Sequence, residues 1–367
     1  MKFVIIAHQI FPHNSPRAFR AIELAKAIKN EGNDVVVYSV LGKYDYSQFM
    51  DKTGIIVKDL GMPRFYRDSS DGTYHKNLLE RIIFHFTEKY LSWPSMTLMP
   101  KIKRALTAEE GASCVITIAM PYVIPWSVAL IKKNSKKKLF NKWISDCGDP
   151  FMGNPMLKPM FYFKYIEKLW CKQTDYIVVP VNDAVTAYYS EFKEKIRVIP
   201  QGFNFDNIPK VEYHKNKILT FSYSGVVYKG TRDPSRFLEF LCSLDIDFRF
   251  IIYTRTKSLF NNYQSLLKDK LIVKDYVDRE ELLKRLGSYD FLVNFSNESS
   301  KQVPSKLIDY ALTNRPIINI SSSFTEEEKD VFTDFRKGNY SRRVLINNLE
   351  DYNIKNVVRK FLSLASN

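Results

Sequence analysis

The chain has 367 residues, 45% of them apolar and 26% charged, which argues against long disorder and for two domains, each with its own core. Its formal net charge of +15 points to an anionic partner: nucleic acid, an anionic membrane face or a phosphorylated substrate. Cys114, Cys147, Cys171 and Cys242 form no CxxC pair and stand near no histidine cluster, which argues for reduced thiols and against a structural zinc site.

Phe3 to Ala7 is a continuous apolar run, the pattern of a buried parallel strand. His8 and Gln9 break it, so it is too short for a signal-peptide core. No apolar stretch reaches the roughly 18 residues of a membrane span. The expected location is the cytoplasm, free or at the inner face of the cell membrane. A loop from His8 to Arg17 follows, then a helix from Ala18 to Lys29 and a strand from Asp34 to Tyr38. This strand, loop, helix, strand unit starts a Rossmann-like sheet.

Cys114 to Ile118 is the next strand, with a helix from Pro121 to Ile131 after it. Trp143 to Ser145 leads into Asp146-Cys147-Gly148-Asp149-Pro150. A helix spans Lys164 to Cys171, a strand Tyr176 to Val179, a short helix Ala184 to Tyr189 and a strand Ile196 to Pro200. Residues 205–216 are polar and aperiodic and read as a linker. Beyond it the alternation restarts. Strands are expected at Leu219 to Gly225, Phe248 to Tyr253, Leu271 to Val273, Phe291 to Phe295 and Pro316 to Ile320. Helices are expected at Pro234 to Ser243, Arg279 to Leu286 and Ser305 to Leu312. In the final stretch Ile354, Val357, Val358, Phe361 and Leu362 share one helical face. The fold class is therefore α/β, with Rossmann-like domains at 1–204 and 217–350 and a cleft between them. The helix in 351–367 is expected to cross back onto the N-terminal domain.

Two segments of the second half carry candidate chemistry. Val303-Pro304-Ser305-Lys306 follows a buried strand and opens a helix, whose first amides have no internal partner and suit a phosphate. Ser305 adds a hydroxyl, Lys306 a charge, and Asp309, one turn on, a carboxylate placed for ribose hydroxyls. Each also fits an ordinary helix start. Gly225 to Pro234 is a strand end, a basic loop and a helix start. There Gly225 admits backbone close to a ligand, and Lys229 and Arg232 supply charge, Arg232 with paired donors. An exposed charged loop is the plain alternative.

These segments resemble the GT-B glycosyltransferases, and within them the large retaining family (family 4, group 1) of bacterial lipopolysaccharide and capsule enzymes. Trp143 to Phe151 is similar to that family's D-x-x-D-P-aromatic segment. Ile199-Pro200-Gln201-Gly202 is similar to its IPNG strand end, with Gln201 in place of Asn. Val303 to Ala311 is similar to its PSKLFEYLA donor motif, and Arg232-Asp233-Pro234 to its RDP loop. The resemblance spans residues 1 to about 320. The family's first acidic residue falls on Lys301, and its second on Asp309.

The resemblance implies a nucleotide-sugar donor, UDP- or GDP-linked, held by the C-terminal half. Gly225, Arg232, Ser305 and Lys306 would take the diphosphate, Asp309 the ribose, and Tyr276 and Val277 the base, with Lys229, Val303 and Pro304 as further donor-binding residues. It implies no cofactor and no bound metal, and Asp245-Ile246-Asp247 reads as surface. Asp149 is the expected active-site carboxylate and Asp146 its helper or a structural partner. Both also fit as turn formers around Gly148 and Pro150. Ser15, Arg17 and Arg20 are candidates for acceptor contacts, with Arg20 otherwise riding on the helix surface. The acceptor would be a lipid-linked or growing surface glycan.

Tyr74 to Leu106 mixes Lys and Arg with large apolar residues, and Lys132 to Lys142 is a second basic run. Such composition suits an anionic membrane surface, or an ordinary solvated face. A nucleotide-sugar epimerase of similar layout is an alternative within the fold, although it would need more acid and base groups than Asp149 and a few histidines. A basic nucleic-acid-binding protein is an alternative of another class, but no helix-turn-helix, RRM or finger pattern is present. No GxGxxG follows the first strand, which disfavours an NAD-dependent oxidoreductase.

Overall fold

The computed structural model describes residues 1–13, 15–63, 78–93, 95–154, 157–206, 208–230, 232–296 and 305–367, without the side chains of Leu78, Glu80, Arg81 and Ser305. It divides into two compact units, Met1–Asn204 with Asp351–Asn367, and Phe205–Glu350. The first unit begins with β1 (Lys2–Ile6), α1 (Pro16–Asn30), β2 (Asp34–Ser39), α2 (Ser47–Thr53), β3 (Ile56–Asp59), α3 (Leu78–Leu91), α4 (Met99–Ala108) and β4 (Ala112–Ile118). It continues with α5 (Val123–Asn134), β5 (Phe140–Asp146), α6 (Phe163–Gln173), β6 (Tyr176–Val179) and β7 (Ile196–Val198). The second holds β8 (Leu219–Ser224), α7 (Ser235–Cys242), β9 (Phe248–Tyr253), α8 (Asn261–Leu267), β10 (Leu271–Lys274), α9 (Arg279–Gly287), β11 (Phe291–Phe295), α10 (Ser305–Leu312), β12 (Ile317–Ile320) and α11 (Glu326–Arg336). The chain then returns to the first unit with α12 (Ile354–Ser366).

The first sheet has seven parallel strands in the order β3-β2-β1-β4-β5-β6-β7. Alternate residues of β1 feed opposite faces. Val4 and Ile6 join Trp126, Trp143 and Trp170, while Phe3 and Ile5 join Ile22, Ala25 and Phe361. Burial on both faces explains the unbroken apolar run. The chain leaves β1 toward β2 and β3 and returns at β4 to build the other side. The strand order therefore switches between β1 and β4, where loops diverge and open a crevice.

The second sheet has five parallel strands, β10-β9-β8-β11-β12, with its switch between β8 and β11. One face is aromatic. Phe221 and Phe291 stack at 4.9 Å, under Phe237 of α7 and Phe332 of α11. On the other face Tyr253 and Leu292 meet Leu286, Leu307 and Tyr310.

Several boundaries differ from the periodicity. α1 starts at Pro16, ahead of the expected Ala18, because Ser15 is its N-cap: Ser15 Oγ accepts from Ala18 N at 3.1 Å. A proline at the first helical position loses no hydrogen bond. The helix expected at Ala184 to Tyr189 is instead a pair of 3-10 turns, Asn182–Ala187 and Ser190–Lys195. Stiff Val185 and Thr186 there disfavour a longer α-helix. Residues 205–216 are not a free tether. Tyr213 donates to Asp290, whose carboxylate also accepts from Asn216 N (3.2 Å) and Thr220 N (2.7 Å), and the Arg315 guanidinium lies 3.3 Å from the Tyr213 ring centre.

α12 packs on the first unit through Ile354, Val357, Phe361 and Leu364. Phe203 N donates to Tyr352 O and Ile354 N to Phe203 O. A Cβ on Gly202 would lie 2.4 Å from Ile354 Cδ1 and 3.1 Å from its Cα, so the glycine lets the returning helix close on the strand end.

Glu109 is a buried anchor at the end of α4. It accepts from Tyr38 Oη (2.9 Å), Lys58 Nζ (2.6 Å) and Lys2 Nζ (2.7 Å). Burial alone would raise its pKa, but these partners bring it down to about 2. A depressed carboxyl stabilises the fold fully above its unfolded value of about 4.5 and loses that contribution as pH falls through about 2. Glu109→Gln is expected to cost on the order of 2 kcal/mol at neutral pH and to converge with the parent in acid. Urea melts at pH 7 and pH 2.5 (about the folded value) test this. An unchanged gap at the two pH values would refute it.

Candidate functional site

In the second unit the candidate residues meet at the switch point. β8 ends at Ser224, and Gly225 follows with φ +141°, a conformation other residues rarely adopt. A Cβ there would lie 3.1 Å from Tyr223 Oη and 3.8 Å from the Lys306 side chain. The loop beyond is a hairpin in which Tyr228 and Arg232 exchange backbone hydrogen bonds. Lys229 is exposed at its tip and Arg232 half-buried at its base. Asp233 accepts from Ser235 N (3.0 Å) and Gly230 N (3.3 Å). Burial opposes its ionisation, but these bonds hold it below the usual carboxylate range. In the Arg-Asp-Pro sequence the aspartate thus shapes the turn that carries the arginine.

α10 is pinned against this strand end. Tyr310 Oη accepts from Ser224 N at 2.7 Å and donates to Ser224 O at 3.3 Å. One turn earlier the Lys306 ammonium lies 4.3 Å from the Tyr223 ring centre and donates to Phe295 O at 3.5 Å. Burial, then the charge of Arg232, pushes Lys306 well below the ordinary lysine value. The two cations therefore face one small region at the carboxyl ends of β8 and β11. Val303 and Pro304 lie outside the described residues, as does Lys301, and for Ser305 only its place as the first residue of α10 is described.

Asp309 does not stand open. Arg279, the first residue of α9, reaches its Oδ1 with both Nε and Nη2 at 2.8 Å. Burial raises the Asp309 carboxyl, and the Arg279 charge works against that rise. Val277 packs on the core, whereas the Tyr276 ring is exposed, with the Arg255 guanidinium 5.0 Å away. Asp245 and Asp247 are exposed, as expected.

In the first unit the remaining candidates gather at the ends of β1, β4 and β5. Arg17 ion-pairs with Asp149, both about a quarter to a third exposed, and its Nη2 also lies 2.8 Å from Met120 Sδ. Asp149 O accepts from Tyr122 Oη and from Cys147 Sγ. Burial pushes the Tyr122 hydroxyl and the Cys147 thiol up, so both stay protonated donors. Ser15 is spent as the α1 cap on its acceptor side and keeps a proton to donate.

Arg20 corrects the surface reading. It is 8% exposed, its Nε bonds Asp146, and its Nη2 donates to Ile199 O at 3.1 Å. Asp146 is 1% exposed. The pair is therefore an internal tie between α1, β5 and the end of β7, out of reach of an acceptor in this structure. The sequence reading missed three supports: Tyr310, Arg279 and Glu167. Glu167 is buried, accepts from Met152 N (3.2 Å) and Tyr189 Oη (2.8 Å), and so ties α6 to the loop that carries Asp149. Tyr310 lies one turn beyond Lys306 in the same motif, which was the available signal.

No family model matches the chain, and no curated protein matches it. Solved structures do. The Anabaena protein Alr3699/HepE in complex with UDP has a TM-score of 0.66 at 8% identity, over 100% of both chains. The lipopolysaccharide outer core galactosyltransferase WaaB has a TM-score of 0.62 at 11% identity, over 99% of each. The UDP-GlcNAc 2-epimerase from Methanocaldococcus jannaschii has a TM-score of 0.57 at 12% identity, over 100% of this chain and 99% of that one. The chain has their fold, the two-domain GT-B architecture of Rossmann-like parallel sheets.

Proposed function

We propose that the chain is a glycosyltransferase that takes a sugar from a nucleoside-diphosphate donor. One observation carries the reading. Lys306 and Arg232 converge beside Gly225 and the start of α10, at the switch point of the second sheet, where a ligand's diphosphate would meet two cations and free helix amides. Lys306 is charged at a cost in this partly buried place, and a diphosphate would remove that cost. HepE, of the same fold, was crystallised with UDP and with UDP-glucose, which favours a UDP-linked donor.

In this reading Arg232, Lys306 and the α10 amides stabilise the departing diphosphate, with no metal required. Asp309 and Arg279 face the ribose and Tyr276 the base. Asp149, held by Arg17, orients the acceptor hydroxyl, and the leaving phosphate takes its proton, which gives retention. Arg20 and Asp146 act as positioning residues behind Asp149. The acceptor is a lipid-linked or growing surface glycan of the lipopolysaccharide or capsule type, met on the cytoplasmic side.

Mass spectrometry of the chain with UDP- and GDP-sugars and short glycan acceptors tests this. Sugar transfer with nucleotide release is expected, and Asp149→Asn should lower it by about a hundredfold with UDP affinity unchanged. Conversion of UDP-GlcNAc into its epimer, without acceptor, would establish the epimerase instead. Stabilisation by duplex DNA and by no nucleotide would defeat both.

A further inference from the structure

Glu167 of α6 is 1% exposed, and all the groups that bond it are donors. The Met152 amide reaches Oε1 at 3.2 Å, Tyr189 Oη donates to Oε2 at 2.8 Å, and the Phe151 amide also favours the charged carboxylate. Tyr122, Cys147, Cys171 and Tyr188 stand around it, each kept protonated by burial. The neighbouring charges are engaged elsewhere. Lys168, on the same helix, turns to Glu191 (2.9 Å) and the Tyr189 ring (4.7 Å), Arg17 pairs with Asp149, and Lys195 donates to the carbonyls that close α6. A buried carboxylate without a counter-charge costs stability, and a glutamine of the same shape would fill the place without that cost. Burial raises the Glu167 carboxyl, and the bonds from Tyr189, Met152 and Phe151 work against the rise. Its contribution to stability is therefore present below the ordinary carboxylate value and lost as pH rises through the raised one. A charge kept at such a cost points to function.

What the charge gathers is the loop that carries Asp149. Behind that loop Tyr188 Oη donates to Cys147 Sγ at 2.7 Å, and Cys147 Sγ and Tyr122 Oη both donate to Asp149 O. Gly153 lies so close to the turn Asn182–Ala187 that a Cβ would come within 2.1 Å of Ala187 O. Between these two fastenings, Glu167 holds the backbone at Phe151 and Met152. Once Glu167 takes a proton, those amides meet a neutral acceptor in place of a charged one, a bond roughly half as strong.

We infer that ionised Glu167 is a positioning residue of transfer: it holds the loop so that Asp149 meets the acceptor hydroxyl, and its protonation turns transfer down in acid. Because Glu167 acts through Asp149, this role rests on the transferase reading. The test is kcat, acceptor KM and their pH profiles, with hydrogen exchange of the 151 and 152 amides. Glu167→Gln is expected to melt no lower than the parent. It should lower kcat roughly tenfold at unchanged acceptor KM and UDP affinity, speed the exchange of both amides by a similar factor, and remove the acid limb of the profile. Tyr189→Phe takes away one donor to the carboxylate and should move the acid limb to higher pH. Asp149→Asn separates the two readings. If it loses transfer while Glu167→Gln keeps the parent's kcat and acid limb, Glu167 has no positioning role. If Asp149→Asn transfers at the parent's rate, the role of Asp149 itself is wrong. A Glu167→Gln chain that melts well below the parent with kcat intact makes the residue structural only, and also overturns the inference.

Discussion

Arg20→Ala is expected to destabilise the first unit by about 3–5 kcal/mol, the cost of stranding a buried charge. Asp146 is 1% exposed, and one of its carboxylate oxygens already has no hydrogen-bond partner among the described residues. Removal of the guanidinium leaves that carboxylate buried without a counter-charge and frees Ile199 O as well. The paired replacement Arg20→Met with Asp146→Leu should recover most of the loss, because no isolated charge then remains. It should not restore transfer, since Asp149 would lose the anchored strand end behind it. All four tryptophans, Trp93, Trp126, Trp143 and Trp170, lie in the first unit, so tryptophan fluorescence during denaturant unfolding reports that unit alone. A single mutant within about 1 kcal/mol of the parent, in the range of a surface pair, would remove the buried tie from the account.

Lys306→Ala is expected to weaken UDP binding by about 2–3 kcal/mol, or roughly 30- to 150-fold, the range for charge-assisted bonds in a partly buried site. Lys306→Arg should not rescue it, because the ammonium sits in a narrow place between the Tyr223 ring and Phe295 O, which a planar guanidinium does not fit. Binding should also take up a proton. The free protein holds Lys306 below its ordinary value, and a diphosphate beside it favours the charged form. Affinity is then highest below the lowered free-state pKa and declines as pH rises from there toward the ordinary lysine range. Calorimetry in buffers of different ionisation heat reads the proton directly. No buffer dependence in the parent, or an equal one in Lys306→Ala, would contradict the assignment.

Much of the fold was legible because parallel strands buried on both faces are near-continuous apolar runs: β1, β9 and β11 are Phe-, Val- and Ile-rich segments between polar loops, whereas β8, Leu-Thr-Phe-Ser-Tyr-Ser, alternates apolar and hydroxyl residues. α11 carried a readable start, the Thr325 and Glu328 capping box, which the apolar periodicity alone passed over. The pairings of the sites were not legible. Arg20 and Asp146 are 126 positions apart, and Arg279 and Asp309 are 30 apart. Only the strand order brings them together. Asp146 and Asp149 look alike in sequence, yet one is sealed beneath Arg20 and the other stands half-open beside Arg17.

The central claim is that the β8 and β11 switch point of the second unit holds a nucleoside diphosphate. A crystal structure of the chain with UDP tests it most directly. The diphosphate is expected beside Lys306 and Arg232 at the start of α10, with the ribose toward Asp309 and Arg279. UDP bound elsewhere, with Lys306 still against Phe295 O and no phosphate near it, would rule out this donor site.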